Sequence, residues 1–430
     1  MGKVAVQGQT DGHSGTTVRR RRVFYIPGYD PIHPRRYREL YRSESAAQAR
    51  ISGYEIAQRP KQAGGAYGWH VSARLEGAEV EADVEVLVWS DIVRGSMAAS
   101  IPATYLQLAR TAWIYISTGA LSRLMHLRKG PVIAALYPVG MLLLQLILAV
   151  LAGWPFAMVA QGLVQAGLAA AIGSEGASVV GTLVFLVVFG AVASFLLRWF
   201  KARDGKLFAY YLMHDYAYSA DARGANPPEL EARIGDFRQL VRSAVEENTV
   251  DEVLIVGHSS GAHVGVSVLA DLLREGLPET RPALGFLSLG QVVPMVSFLP
   301  HAHRLRADLR YLSASPDIAW VDVSAPGDGC AFALCDPVAV SGVAPEDKRW
   351  PLVISAAFSQ TLSPARWKEL RWRFFRLHFQ YLCAFDQPGD YDYFKITAGP
   401  ITLAERFKRR QPSKSRIEAA TSGYTSVSAP

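Results

Sequence analysis

The sequence predicts an α/β fold in which a mostly parallel β-sheet is flanked by helices and carries an apolar helical insertion. Two observations lead to this prediction. Short apolar runs such as residues 253–256 alternate with stretches of helical periodicity, which is typical of parallel sheets covered on both faces. Between Pro131 and Leu197, Glu175 is the only charged residue, so this window stands apart from the rest of the chain.

The elements before the window begin with a buried strand, near residues 22–26, that ends in a Pro27-Gly28 loop. A helix follows near residues 37–51. Two strand-like runs come next, at residues 68–75 and 84–89.

The elements after the window continue the alternation of helices and strands. Leu230, Ile234 and Phe237 recur at helical spacing after Asn226-Pro-Pro, which predicts a helix that these prolines open. The remaining predicted elements are a helix at 207–219, strands at 253–256, 283–289, 318–323 and 352–356, a helix at 260–275, and a helix opened by Ser363-Pro364.

The apolar window predicts a transmembrane hairpin. Residues 131–153 and 178–197 are each long enough to cross a hydrocarbon core, which takes about 20 apolar residues. Residues 155–172 are shorter and contain glycines, so we expect them to be re-entrant or interfacial. The strands on both sides of the window are expected in one sheet, which requires an even number of crossings. The alternative is a soluble protein with very apolar lid or core helices.

Charge gives an orientation for this hairpin. The net charge is +7, and basic clusters flank the window at residues 123–129 and 198–206. Nucleic-acid binding would also explain basic clusters, but anionic lipid headgroups explain clusters beside an apolar window better. The positive-inside rule places both flanks, the globular domain and both termini in the cytoplasm. We therefore expect a membrane partner and no nucleic acid.

The predicted organisation has six parts. Residues 100–130 fit an interfacial amphipathic helix or a surface helix of the globular domain equally well. The parts are a disordered tail at 1–20, the first half of the globular domain at 21–99, the helical stretch at 100–130, the transmembrane insertion at 131–200, the second half at 201–407, and a disordered tail at 408–430.

The three cysteines lack metal-site spacing, and they fit a reducing compartment better than a disulfide framework.

The motif Gly257-His258-Ser259-Ser260-Gly261 lies between a predicted strand and a predicted helix. In that context, Gly-x-Ser-x-Gly indicates a sharp corner that projects the serine hydroxyl above the sheet. The glycines allow the strand and the helix to approach closely there. The alternative is a tight strand-to-helix turn with an unreactive serine.

With this elbow, this order of strands and the order serine, acid, histidine, the chain resembles the α/β-hydrolase superfamily of serine hydrolases, esterases and lipases among them. The resemblance covers about residues 22–92 and 225–405 and leaves the window as an insertion. It implies that Ser259 is the nucleophile and that the base follows the last strand. His378 is the only histidine beyond residue 303. It lies on or at the end of a predicted helix, whereas the superfamily usually has this residue on a loop.

The resemblance places the acid after the strand at 318–323, where Asp328 is the candidate, with Asp322 and Asp336 as alternatives. It also implies an oxyanion hole made of two N–H donors. One donor would be Ser260. The other would be Tyr29, or Gly28 in reserve, in the loop after the first strand.

These features predict a membrane-anchored serine hydrolase that cleaves a hydrophobic, lipid-like acyl ester or a thioester. The alternatives are an acyltransferase with the same triad and a catalytically silent membrane scaffold. A channel is disfavoured, because the window offers one acidic residue and no polar pathway. The sequence contains no metal constellation, phosphate loop or dinucleotide fingerprint, so no cofactor or metal is expected. It does not indicate an oligomeric state.

Overall fold

The computed structural model describes residues 17–61, 64–97 and 100–429. The chain divides into two compact units. Unit 1 comprises Met1–Ile92, Ala225–Phe298 and Ala302–Pro430, and unit 2 comprises Val93–Gly224 with Leu299–His301. The predicted N-terminal tail lies outside the described residues up to residue 16. From Thr17 onward the chain is already paired, through an isolated bridge to Ile401.

Unit 1 is built on a sheet whose described strands run in the order β2-β3-β4-β1-β5-β6-β7-β8. Five of the seven neighbouring pairs are parallel, and only β2/β3 and β3/β4 are antiparallel. The predicted α/β class is therefore confirmed. The strands are β1 (Arg20–Ile26), β2 (Glu55–Pro60), β3 (Gly68–Leu75), β4 (Ala78–Val86), β5 (Glu252–His258), β6 (Ala283–Leu289), β7 (Ala319–Ser324) and β8 (Leu352–Ser355).

Two strands differ from their prediction. The strand predicted at 84–89 is β4, which begins earlier, at Ala78, because its N-terminal part forms a hairpin with β3 across Glu76-Gly77. Strand β2 was not predicted. It is an edge strand with mostly exposed side chains and a terminal proline, so it lacks the apolar alternation that marks an inner strand.

Both units contain helices. Helix α9 follows β5, and nearly all of its side chains are buried. The described α-helices are α1 (Arg35–Ser52), α2 (Ser90–Ser96), α3 (Ile101–Ser117), α4 (Ala120–Leu127), α5 (Lys129–Lys201), α6 (Asp204–Leu207), α7 (Ala209–Asp221), α8 (Pro228–Glu247), α9 (Gly261–Arg274), α10 (Val293–Ser297), α11 (His303–Ala314), α12 (Pro337–Val340), α13 (Phe358–Thr361), α14 (Pro364–Leu370), α15 (Phe374–His378), α16 (Tyr393–Ala398) and α17 (Leu403–Phe407).

The C-terminal residues do not behave as the disordered tail predicted for 408–430. Ile417 N–H donates to Leu334 O at 2.7 Å, and Ser413 N–H donates to Val353 O at 2.9 Å. Polar composition suggested disorder, but backbone groups do not need apolar side chains to pair. These main-chain hydrogen bonds fix the segment within unit 1.

Unit 2 contains one segment, α5, that is long and apolar enough to cross a membrane. Only 6 % of its most apolar window is buried. Its backbone leaves helical geometry at Gly173, where φ is 74° and ψ is 166°. The rings of Trp154 and Phe185 lie 5.3 Å apart across this break, whereas a straight helix would separate them by about 46 Å. The chain therefore turns back at Gly173.

The contacts across this turn only partly match the two predicted crossings, residues 131–153 and 178–197. A Cβ on Gly153 would lie 3.1 Å from Phe189 Cδ2, and Gly181 faces Gln165 in the same way. Residues 155–172, predicted as re-entrant or interfacial, are thus helical and pack against the returning arm. They were misjudged because their glycines make them less apolar. The close packing of the two arms occurs at Gly153 and Gly181, on either side of this stretch.

Residues 100–130 form two helices of unit 2, α3 and α4. Leu108 of α3 shares a buried cluster with Leu142 and Tyr210, and Tyr105 donates its hydroxyl to Leu142 O at 2.8 Å. The beginning of α5 is therefore packed against α3 and α7. This stretch is not a surface helix of the sheet-containing unit.

Candidate active site

Strand β5 ends in a sharp corner at Ser259. Every residue of β5 is buried, as expected for an inner parallel strand. Ser259 has a φ of 56°, in the left-handed region that non-glycine residues rarely adopt. Helix α9 begins two residues later. Such local strain clusters at functional sites, and here it turns a half-buried serine side chain out of the sheet.

The two glycines of the motif are needed because the backbone is crowded at this corner. A Cβ on Gly257 would lie 2.7 Å from Gly261 O. A Cβ on Gly261 would lie 2.2 Å from Ile26 O and 2.6 Å from Pro27 O. Any side chain at either position would force strand β5, helix α9 or the end of β1 apart.

The loop after β1 lies beside the same corner, because β1 and β5 are neighbouring parallel strands with Ile26 opposite Gly257. A Cβ on Gly28 would lie 3.0 Å from Ser259 Cβ and 3.4 Å from Ser259 Oγ. Tyr29 is buried, with its ring edge-on to Trp89. The predicted oxyanion loop therefore contacts the serine side chain.

Ser260 is the residue before the first turn of α9 and is buried. The N–H groups at the start of a helix have no acceptor within that helix, and the helix dipole adds partial positive charge there. The start of α9 and the loop that contains Gly28 therefore both lie beside Ser259, where the sequence predicts the two oxyanion donors.

His378 is the last residue of α15 and is 6 % exposed. Its Nδ1 lies 2.7 Å from Asp328 Oδ2, in the loop that follows β7. With Nδ1–H donated to the carboxylate, the lone pair of the ring resides on Nε2. The predicted histidine and acid, 50 residues apart in sequence, are therefore in direct contact.

The carboxylate of Asp328 is buried and fully hydrogen-bonded. Cys330 N–H donates to Oδ1 at 2.9 Å, and Tyr381 donates its hydroxyl to Oδ2 at 2.9 Å. Burial acts to raise the pKa of Asp328, but the charge and hydrogen bond of His378 and the two other donors outweigh it, so the pKa lies below its usual value. Asp328 is thus held as an anion beside the imidazole.

His258, the residue before the serine, supports the histidine. Burial and the neighbouring His378 lower the pKa of His258 to about 3, so the ring is neutral near pH 7. Its Nε2 lies 3.0 Å from His378 O and donates to it, because a carbonyl can only accept. The rings of His258 and His378 are 4.8 Å apart.

Ser259 and His378 approach each other across Gly290. Ser259 N–H donates to Leu289 O at 2.9 Å, and a Cβ on Gly290 would lie 3.2 Å from His378 Cε1. Among the described residues, no hydrogen bond joins Ser259 Oγ to the His378 ring. Catalytic hydrogen bonds are often long before substrate binds and tighten in the complex.

The two alternative acids do not contact His378 among the described residues. Asp322 lies inside β7, where it accepts a 2.6 Å hydrogen bond from Ser288 Oγ, and burial raises its pKa to about 7. Asp336 caps helix α12 and pairs with Lys348 at 2.6 Å. Both carboxylates have structural partners elsewhere.

Four other histidines also lie outside this constellation. His263 is buried on α9 with Nδ1 unpartnered. His214 contacts Gln107 within unit 2, His301 belongs to unit 2, and His303 begins α11.

The side chains of Asp328, Cys330 and His378 also have the chemistry of metal ligands, and their ligating atoms lie within 4.8 Å of one another. Two ligands of a tetrahedral zinc ion would be separated by about 3.3 Å. The 2.7 Å between His378 Nδ1 and Asp328 Oδ2 is shorter and matches a direct hydrogen bond. The arrangement therefore fits a histidine–carboxylate pair better than a metal centre.

Sequence reasoning missed Tyr381 and the supporting role of His258. Tyr381 comes three residues after His378, a spacing that places two side chains on one helical face, and this was the available signal. Nothing in the sequence indicated that the ring of His258 would contact the backbone of residue 378.

No protein-family model matches this chain, and neither does any of the curated proteins or solved structures with which it was compared.

Proposed function

We propose that the protein is a membrane-anchored serine hydrolase that cleaves an ester or thioester of a hydrophobic acyl group through an acyl-enzyme. One observation carries the proposal. Ser259 stands at a strained strand-to-helix corner with Gly28 against its hydroxyl, and the His378–Asp328 pair contacts the neighbouring residues His258 and Gly290. The resemblance to the α/β-hydrolase superfamily supports the same assignment.

In the proposed reaction, Ser259 Oγ attacks the carbonyl carbon while His378 Nε2 takes the hydroxyl proton. Asp328 stabilises the imidazolium and fixes the orientation of the ring. The N–H of Ser260 and that of Tyr29 or Gly28 hold the oxyanion. The bond to the leaving group then breaks, and the imidazolium returns its proton to the departing alkoxide or thiolate. Water, activated by the same base, releases the acid and restores Ser259.

The membrane part of the proposal rests on α5. From about residue 150 to the turn at Gly173, and from there back towards residue 197, each arm is about 23 residues long, or about 35 Å. This length is enough for a hydrocarbon core of about 30 Å. Glu175, the single charge in the window, is exposed beside the turn at Gly173, while Arg198 and Lys201 lie at the other end. We propose a helical hairpin with its tip across the membrane and unit 1 in the cytoplasm.

Acyl transfer to an acceptor other than water would use the same residues and is retained as the alternative. Turnover of a short-chain p-nitrophenyl ester by the full chain in detergent tests the proposal. Ser259→Ala and His378→Ala should each abolish turnover. Ser243→Ala, which removes an exposed serine hydroxyl on α8, is the matched control and should leave turnover unchanged. Undiminished turnover in either site variant would contradict the assignment.

A further inference from the structure

A strongly basic and aromatic stretch lies immediately before His378. Residues 364–376, here called the basic aromatic segment, contain five cationic side chains and one carboxylate in thirteen positions: Arg366, Lys368, Arg371, Arg373 and Arg376 against Glu369. The segment comprises α14, a turn and most of α15. The proposed chemistry does not use this excess of positive charge.

The segment presents its charges and two of its rings to solvent. Leu370 is buried beneath it, whereas the side chain of Trp372 is 72 % exposed and that of Phe374 is 46 % exposed. These two rings meet edge-to-face with centroids 6.5 Å apart. Exposed aromatic rings among cationic side chains are the composition of surfaces that insert at the level of lipid headgroups.

The positive charge is only partly neutralised within the chain, where Arg366 pairs with Asp386 at 3.5 Å and with Glu44 at 3.9 Å. Glu369 is shared between Arg373, at 3.1 Å, and Arg376, at 3.5 Å. Lys368 and Arg371 have no ion pair among the described residues, and Arg371 lies over the Trp372 ring. The surface is therefore complementary to a polyanion that can also accept apolar rings.

The basic aromatic segment packs against the loop that contains Asp328 of the candidate active site. A Cβ on Gly327 would lie 2.6 Å from Trp367 Cη2, and a Cβ on Gly329 would lie 3.2 Å from Phe374 Cδ1. These glycines flank Asp328 on both sides. Helix α15, which ends the segment, also supplies His378. Whatever binds the segment therefore contacts the supports of both the acid and the base.

We propose that the basic aromatic segment docks on the anionic surface of a lipid bilayer, with Trp372 and Phe374 at the headgroup level and the arginines on lipid phosphates and carboxylates. The chain itself supplies the reason to choose a bilayer, because α5 is long and apolar enough to cross one and so keeps unit 1 tethered at high effective concentration. This inference deepens the proposed function, on which it rests, since it would bring a lipid-borne acyl ester to the mouth of the site.

Photo-crosslinking of the full chain in vesicles tests the docking. A p-benzoylphenylalanine in place of Trp372 should form lipid adducts, detected by mass spectrometry of the intact chain. Vesicles are made of phosphatidylcholine with or without about one-third phosphatidylserine. The matched control places the same group at Tyr311, an exposed aromatic residue on α11 of unit 1. We expect adducts at position 372 and none at 311, and about tenfold fewer without phosphatidylserine.

Charge reversal separates electrostatic docking from simple proximity. Arg371→Glu with Arg373→Glu should lower adduct formation about tenfold, whereas Arg371→Lys with Arg373→Lys should preserve it. Equal labelling at 372 and 311, or labelling unaffected by charge reversal, would overturn the proposal. So would crosslinking of position 372 to a second copy of the chain in place of lipid. Binding of a labelled single-stranded RNA in detergent that is lost on charge reversal, without lipid adducts, would assign the segment to nucleic acid instead.

Soluble-ester turnover keeps this test apart from the test of the proposed function. Arg371→Glu with Arg373→Glu should leave hydrolysis of a short-chain ester in detergent unchanged, because neither arginine lies in the proposed catalytic machinery. If the docking is wrong, lipid adducts fail while soluble-ester turnover persists. If the chain is not a hydrolase, turnover is absent in every variant, yet the lipid adducts at 372 are still formed.

Discussion

Gly28 and Ser259 are in direct contact at the carboxyl edge of the sheet, where a Cβ on residue 28 would lie 3.4 Å from Ser259 Oγ. The proposed function needs this space for the oxyanion and for the serine to change rotamer. Gly28→Ala should therefore lower kcat/KM for a short-chain ester about tenfold or more, without unfolding the protein. Gly235→Ala on α8, where a Cβ meets nothing within 4 Å, is the control. A Gly28→Ala variant with undiminished kcat/KM would show that this loop is not part of the proposed site.

Asp328→Asn tests the identity of the acid. The amide keeps the size of the side chain but cannot hold the Nδ1–H tautomer of His378 as a carboxylate does. We expect turnover of a short-chain ester to fall about 10²–10⁴-fold. Asp322→Asn and Asp336→Asn are the comparison variants, because both positions fit the sequence order but neither contacts His378 in the described residues. A larger loss of turnover in either variant than in Asp328→Asn would identify the residue changed in that variant as the acid.

Asp322 should make stability depend on pH. Its folded-state pKa is raised to about 7 by burial, above the usual 3.8, so the folded protein holds this proton more tightly than the unfolded chain. The resulting stability is fully present below about pH 4 and is lost as pH rises towards 7, at about 1.4 kcal/mol per pH unit. Asp322→Asn removes this contribution to the change of the unfolding free energy with pH.

Thermal unfolding of the full chain in detergent between pH 5 and pH 8 measures this effect. Tm of the parent chain should fall relative to Tm of Asp322→Asn as pH rises to about 7, and the two should then run parallel. Parallel curves over the whole range would show that Asp322 is ionised throughout.

The sequence predicted the sheet-containing unit well, because inner parallel strands are continuous apolar runs and the elbow has a local signature. It also indicated His378 and Asp328 in chain order. It missed Tyr381, although the three-residue spacing from His378 was a signal, and it could not predict the contact of His258 with His378, which joins segments far apart in the chain. Strand β2 was missed because an edge strand need not be apolar, and the C-terminal segment because main-chain pairing leaves little trace in composition.

The pairing of the two arms of α5 was also beyond the sequence. Hydropathy marked residues 131–153 as the more apolar crossing, but the returning arm packs on residues 153–165, where Gly153 on one arm and Gly181 on the other permit close approach. Hydropathy measures affinity for lipid and does not report which helix faces are complementary in shape.

The proposed hairpin predicts that the turn at Gly173 lies on the opposite side of the membrane from unit 1. An epitope inserted between Ser174 and Glu175 should be protected from protease in sealed vesicles whose cytoplasmic face is outward. An epitope after Pro430 should be digested in the same vesicles. Detergent should expose the first epitope. Digestion of both epitopes in intact vesicles would show that α5 does not cross the membrane.

The central claim is that Ser259 is an activated nucleophile, and a fluorophosphonate probe tests it most directly. Treatment of the full chain in detergent should give one covalent adduct, which peptide mass spectrometry maps to Ser259. The adduct should be absent in Ser259→Ala and form far more slowly in His378→Ala. A chain that stays unlabelled, or whose adduct maps to another serine, would contradict the claim.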